Sequence, residues 1–375
     1  MNLKKTAALV FSLTLASVAA PVAGQSKADL MKAAPPASIP TFSTADIARI
    51  GYFYAGGKYV ASPSKEGDHY MQGAMYTEVW VPKEIRHPYP VVLFGGQGQL
   101  GTVWEQTPDG RPGWAYYLVK QGYVLYLTDY PGRGRSPHVP GVDGPLSMRS
   151  MNDLESQFTN VREKSDFPLK DNHTQWPGTG KMGDPYFDAF AKGQAQSTGG
   201  PMQGGIYRDA AVALLDMIGS PVILMPHSMG GGVAWAAADA RPNMVKAIVM
   251  VETNGINART PLTYNPPVTN PDDIKTVVEA KSDGPGELPC TLQAEPARQL
   301  VNLKGIPMVF YSGNGGYHRR SDSCVPKWFN QAGVKMEYVR LEDVGQNGNG
   351  HEMFFEKNSD EIIKLLDEWI RKNVT

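Results

Sequence analysis

Cysteine is all but missing from this chain, which holds only Cys290 and Cys324. Neither stands at a metal-ligand spacing and no H-E-x-x-H run occurs, so the sequence offers no metal site and no zinc-assisted hydrolysis. Net charge is missing as well. Lys and Arg number 36 against 37 Asp and Glu, a balance of −1 without the basic footprint that nucleic acid or an anionic membrane demands. Long apolar runs are lacking too, since the stretch Ala7 to Ala20 falls short of the ~20 residues a spanning helix needs. A phosphate-binding G-x-x-x-x-G-K-[ST] loop is absent. So are internal repeats and low-complexity tracts, and no residue pattern asks for a cofactor.

The apolar stretch follows Lys4-Lys5 and precedes Val22-Ala23-Gly24, so residues 1–24 read as an export signal peptide cleaved after Gly24. No cysteine lies beside that point to take a lipid. The mature chain is therefore expected in the periplasm or outside the cell, without a membrane anchor. Export in turn favours a Cys290–Cys324 bridge. Such a bridge stabilises by roughly 2–4 kcal/mol, mostly by restricting the unfolded chain.

Residues 25–48, rich in Ala, Pro and Ser, are expected as an extended lead-in. Aromatic and β-branched residues at Gly51 to Val60 and Ala74 to Val81, with Gly67-Asp68 between them, predict two antiparallel strands at a sheet edge. Strands at 90–94, 122–128, 220–225, 246–251, 306–311 and 334–341 then alternate with helices at 113–121, 204–218, 233–240, 325–332 and 360–372. This alternation specifies an α/β fold, a mostly parallel central sheet flanked by helices, whose ligands bind at the carboxyl ends of the strands. Residues 49–137 and 204–375 are assigned to that core. Residues 138–203 and 256–300 break the pattern, and structureless loops of such length are unusual in a compact domain. The first is expected as an inserted cap over the site, the second as a smaller insertion carrying Cys290.

One stretch organises the chemistry. Leu224-Met225-Pro226-His227-Ser228-Met229-Gly230-Gly231-Gly232 puts a serine between a β-rich run and a small-residue helix, where a nucleophile elbow holds its serine. The sharp turn favours small residues two before and two after the nucleophile. Gly230 fits, but Pro226 departs from the pattern, because proline lacks an N–H and fixes φ. A serine nucleophile needs a base, the base needs an orienting acid, and the oxyanion needs N–H donors. Among seven histidines, His351 lies on the glycine-rich loop Asn347-Gly348-Asn349-Gly350 between the last strand and the final helix. The others, His69, His87, His138, His173, His227 and His318, are set aside by position. The turn after strand 306–311 reads Ser312-Gly313-Asn314-Gly315-Gly316 and carries no carboxylate, whereas the preceding strand ends in Val251-Glu252. Glu252 is the expected acid and Asp322 the fallback. The expected oxyanion donors are the N–H groups of Met229 and of Gln97, in the loop Gly95-Gly96-Gln97-Gly98.

With these residues assigned, the chain resembles the α/β-hydrolase superfamily, and within it a group of secreted bacterial esterases that use a glutamate after strand six. The resemblance rests on Trp104-Glu105-Gln106-Thr107-Pro108-Asp109-Gly110-Arg111 with Gly113-Trp114, on Asp129 with Gly132-Arg133-Gly134-Arg135-Ser136, on His227-Ser228, on Val251-Glu252, and on Gly348-Asn349 with His351. It spans most of the mature chain, while the cap matches poorly. It implies an α/β-hydrolase fold, hydrolysis of carboxylic esters, and the roles of nucleophile, acid and base for Ser228, Glu252 and His351. In the oxyanion loop, where members of that group carry adjacent cysteines, this chain has Gln97-Gly98. The expected function is a secreted serine esterase acting on a small or polymeric ester. A lactone or polyester hydrolase would use the same machinery, and a non-catalytic binding protein on this scaffold would lack a triad member. Trp104, Trp114 and Tyr130 are candidates for the substrate pocket or for the core.

Overall fold

The computed structural model describes residues 35–198, 205–255 and 262–374. The predicted signal peptide, the first part of the lead-in and the last residues of the expected cap lie outside them. The chain divides into Met1–Thr41 and Phe42–Thr375. The described part of the first unit is a short turn in which Ile39 N–H donates to Pro36 O at 2.9 Å.

In the second unit eight strands form one sheet: β1 (Ile47–Ala61), β2 (His69–Pro82), β3 (Val91–Phe94), β4 (Leu125–Asp129), β5 (Val222–Pro226), β6 (Val245–Val251), β7 (Met308–Ser312) and β8 (Met336–Arg340). Their order is β1-β2-β4-β3-β5-β6-β7-β8. β2 runs antiparallel to β1 and to β4, and all remaining neighbours are parallel. β1 opens at Ile47, inside the segment expected as lead-in.

Among the described residues six helices are of eight residues or more: α1 (Trp114–Gln121), α2 (Pro185–Lys192), α3 (Tyr207–Ile218), α4 (Gly230–Ala240), α5 (Cys324–Gln331) and α6 (Ser359–Asn373). β3 and β5, at the centre, are apolar at every position because both faces are covered, and alternate residues point to opposite faces. Val91, Leu93, Ile223, Met225 and Val249 join one apolar cluster with Trp114 and Leu118 of α1 and Ile362, Ile363 and Leu366 of α6. Val92, Phe94, Leu224, Ile248 and Met250 join a second with Leu214 of α3, Ala234 of α4 and Phe329 of α5. Trp104, Trp114 and Tyr130 are buried in these clusters, so they are core residues.

Residues 138–198 add no strand to the sheet. A two-residue ribbon pairs Leu146–Ser147 with Ser197–Thr198. Ser150 and Asp153 form a capping box on the turn Met151–Leu154, and the Asp184 carboxylate caps α2. Phe158, Trp176, Phe187 and Phe190 pack into the first cluster, which fixes the segment to the core. Residues 262–300 form two further short ribbons, Tyr264–Asn265 with Gln299–Leu300 and Thr276–Val278 with Thr291–Gln293. The expected Cys290–Cys324 disulfide is present and ties this excursion to the first turn of α5.

Candidate active site

β5 delivers Ser228 to the carboxyl edge of the sheet. Pro226 stands in register with Phe94 of β3, and His227 N–H donates to Phe94 O at 2.9 Å. On the other side, pairing with β6 runs to Leu224–Ile248 and resumes as a bridge between His227 and Val251. Pro226 thus occupies the gap in that ladder, where its missing N–H is not called on. Ser228 follows at φ 51°, in the left-handed region, and α4 begins at Gly230. The turn is tight enough that a Cβ on Gly231 would lie 2.5 Å from Thr253 Cβ.

β6 ends the same way. Glu252 has φ 40°, and among the described residues Ser228 and Glu252 alone are non-glycine residues at positive φ. The Glu252 side chain is fully buried. Its Oε1 accepts Gly313 N–H at 2.7 Å, and its Oε2 lies 2.8 Å from His351 Nδ1. The turn after β7 that carries no carboxylate therefore supplies a donor to one. Burial pushes the Glu252 carboxyl up, and the nearby Asp322 adds to this, while the Gly313 N–H opposes it.

His351 is held from several sides. The Glu356 carboxylate accepts Gly350 N–H at 2.9 Å, Asn349 Nδ2 at 2.7 Å and, from the segment 138–198, lies 2.8 Å from His173 Nε2. The ring of Phe158 stacks on His351 at 5.7 Å, and that of His318 at 4.6 Å. Burial is the main cause holding the His351 imidazole well below 6.5, with His227, His318 and Arg149 acting in the same direction. It is then a free base at neutral pH. Its Nε2 and the Ser228 Oγ carry no hydrogen bond among the described residues, so neither is committed to another group of the protein.

Asp322 is also fully buried, but it is committed elsewhere. It accepts the Ser312 hydroxyl at 2.5 Å and contacts His318 Nδ1 at 2.7 Å, with no bond to His351.

The loop after β3 comes up against the serine, where a Cβ on Gly96 would lie 2.9 Å from Ser228 Cβ. Arg133 Nη1 holds the Gly96 and Gln99 carbonyls at 2.7 and 3.2 Å. Gly96 N–H is taken by Gln99 Oε1 at 2.6 Å and Gly98 N–H by Ser197 Oγ at 3.2 Å. Gln97 N–H, between them, and Met229 N–H have no partner among the described residues.

Three histidines set aside by position in the sequence gather here. His227 Nδ1 faces Gln99 Oε1 at 2.9 Å and its Nε2 faces the His351 carbonyl at 3.0 Å. Burial pushes this ring down to about 3, so at neutral pH it donates at one nitrogen only. Gln99 Nε2 in turn donates to the buried Glu352, whose carboxyl burial pushes up to about 8. His173 and His318 arrive from segments remote in sequence. The four-residue spacing of His318 and Asp322 is the one local signal that pointed to a pair there. Among the described residues no group of His, Cys, Asp and Glu is arranged to hold a metal ion.

A sheet in this order, with a serine at positive φ on the turn between its fifth strand and the next helix, defines an α/β-hydrolase. No family model matches the chain. It is 39% identical over 339 residues to a probable secreted lipase, phiG, of a fungal species (strain ATCC 74256), covering 86% of this chain and 89% of that one. A novel bacterial esterase of known structure has the same fold, with a TM-score of 0.62 at 20% identity over 90% of this chain and 99% of that one. The chain belongs to the α/β-hydrolase superfamily, in the family that contains this lipase.

Proposed function

We propose that the protein is an exported serine esterase in which Ser228, His351 and Glu252 are nucleophile, base and acid. Its family makes it a carboxylic ester hydrolase. The observation that carries the mechanism is the 2.8 Å contact of Glu252 Oε2 with His351 Nδ1, made from a strand end that lies beside the elbow.

Ser228 Oγ attacks the acyl carbon while His351 Nε2 takes its proton. Glu252 keeps the other ring proton on Nδ1 and stabilises the imidazolium. The N–H groups of Gln97 and Met229 receive the oxyanion, and the left-handed turn at Ser228 aims the hydroxyl toward them. His351 then protonates the departing alcohol. Water attacks the acyl-enzyme by the same route in reverse, releasing the acid. Residues 138–203 act as the cap, and residues 1–24 as the leader removed on export. The secretion of the fungal relative and the Cys290–Cys324 bridge both agree with export.

Fluorophosphonate labelling read by mass spectrometry tests the nucleophile, with the adduct expected on Ser228. Ser228→Ala is expected to lower kcat on a p-nitrophenyl ester by roughly 10⁴-fold or more with the fold intact. Wild-type-like turnover by that variant overturns the mechanism.

A further inference from the structure

We infer that Arg149 makes this site selective for esters whose acyl chain ends in a carboxylate, such as half-esters of short dicarboxylic acids. The inference rests on the serine-esterase reading above.

Arg149 follows the ribbon Leu146–Ser147, whose partner Ser197 accepts Gly98 N–H from the oxyanion loop. That anchoring brings the guanidinium to the site. Its Nη2 donates to Gln97 Oε1 at 3.2 Å, on the exposed side, and its Nη1 to Gln157 Oε1 at 2.7 Å. The cation lies over the Phe158 ring at 5.2 Å, and that ring stacks on His351 at 5.7 Å. One side chain therefore separates Arg149 from each of two groups, the oxyanion residue and the base.

Its charge has no ion-pair partner among the described residues. Arg149 is half-buried, yet both its partners are neutral amides. Its Nε is buried without a partner among the described residues. A partly desolvated arginine is normally matched by a carboxylate or phosphate, because its planar fork binds such groups at two points. Among the described residues no such group reaches it, and its bond to Gln97 lies on the exposed side. An acyl carbonyl bound at the Gln97 N–H would carry a carboxylate a few bonds further on to that exposed side. Its charge would displace a neutral amide and neutralise the guanidinium. The same cation adds to the lowering of the His351 imidazole and opposes the raising of the Glu352 carboxyl.

The rival role is a strap, in which Arg149 only ties the cap to the oxyanion loop. The two differ in a ratio of specificity constants. Monoethyl and diethyl succinate are to be compared at pH 7 by titrating the acid released. Wild type is expected to favour the monoester, and Arg149→Gln to lower the ratio of kcat/KM, monoester over diester, by roughly 10- to 100-fold through KM. Arg149→Lys is expected to retain part of the ratio, and 1 M salt to lower it in wild type. An equal ratio in wild type and Arg149→Gln overturns the inference, even if both rates fall, since a strap would produce that result. Should Arg149→Gln fail to fold, a salt-insensitive ratio in wild type overturns it instead. Diester turnover that survives Ser228→Ala would overturn the serine mechanism separately.

Discussion

Ser228 and Glu252 each stand one residue beyond a cross-strand pair, His227 with Val251, and both turn there into the left-handed region. Adjacent parallel strands thus break off together. Ser228 N–H still reaches back to Val251 O at 3.2 Å across that gap. Each such non-glycine residue costs about 1–3 kcal/mol, which the surrounding packing must offset. Glu252 consequently sits beside the serine turn on the next strand, and His351 comes to it from the loop after β8.

This arrangement gives the two buried carboxylates different partners, His351 for Glu252 and Ser312 with His318 for Asp322. Glu252→Gln is expected to lower kcat by about 10⁴-fold, as loss of the orienting carboxylate does in related triads. Asp322→Asn keeps the bond to Ser312 and should cost far less. Steady-state kinetics on a neutral ester compares them, and abolition of turnover by Asp322→Asn alone would reverse the assignment.

The acid limb of the rate profile follows from His351. Burial, the rings of His227 and His318, and the Arg149 guanidinium all move its imidazole below 6.5, with Glu252 as the carboxyl partner on the opposing side. A base with a lowered pKa stays unprotonated further into acid, so activity is retained as pH falls through 6.5 and is lost only below it. A kcat/KM profile on an uncharged ester should place the midpoint of the acid limb under pH 6.5. A midpoint at 7 or above contradicts this.

Gly96 tests the oxyanion geometry. A Cβ there would press on Ser228 Cβ at 2.9 Å and His227 Nδ1 at 3.0 Å. Gly96→Ala is expected to lower kcat roughly 10²- to 10³-fold, the usual cost of a misplaced oxyanion donor. Overpacking should cost only about 1–3 kcal/mol of stability, so urea unfolding will still show a folded protein. Unaltered kcat would remove this loop from the oxyanion site.

Much of the frame was legible because its signals are local. Apolar runs such as Val91 to Phe94 and Val222 to Met225 mark covered strands, and Glu252 stands out as a carboxylate at a strand's carboxyl end. The surroundings of His351 were not legible. Gln99 with Glu352, and His173 with Glu356, meet across 253 and 183 residues of chain, and no periodicity encodes such pairs. His227 was set aside because it adjoins the serine, yet its ring links Gln99 in the loop after β3 to the backbone of His351. The segment 138–198 was opaque for another reason. Apart from α2, its order comes from single turns, caps and buried aromatics, and none of these repeats.

Glu356 has a consequence for anyone reshaping this protein. One carboxylate fastens both the loop that bears His351 and His173 of the overlying segment. Trimming that segment to admit bulkier esters would therefore do more than open a door. It would unpick the knot on which His351, the proposed base, is mounted, so substrate range here is better widened by exchanging single side chains than by deletion.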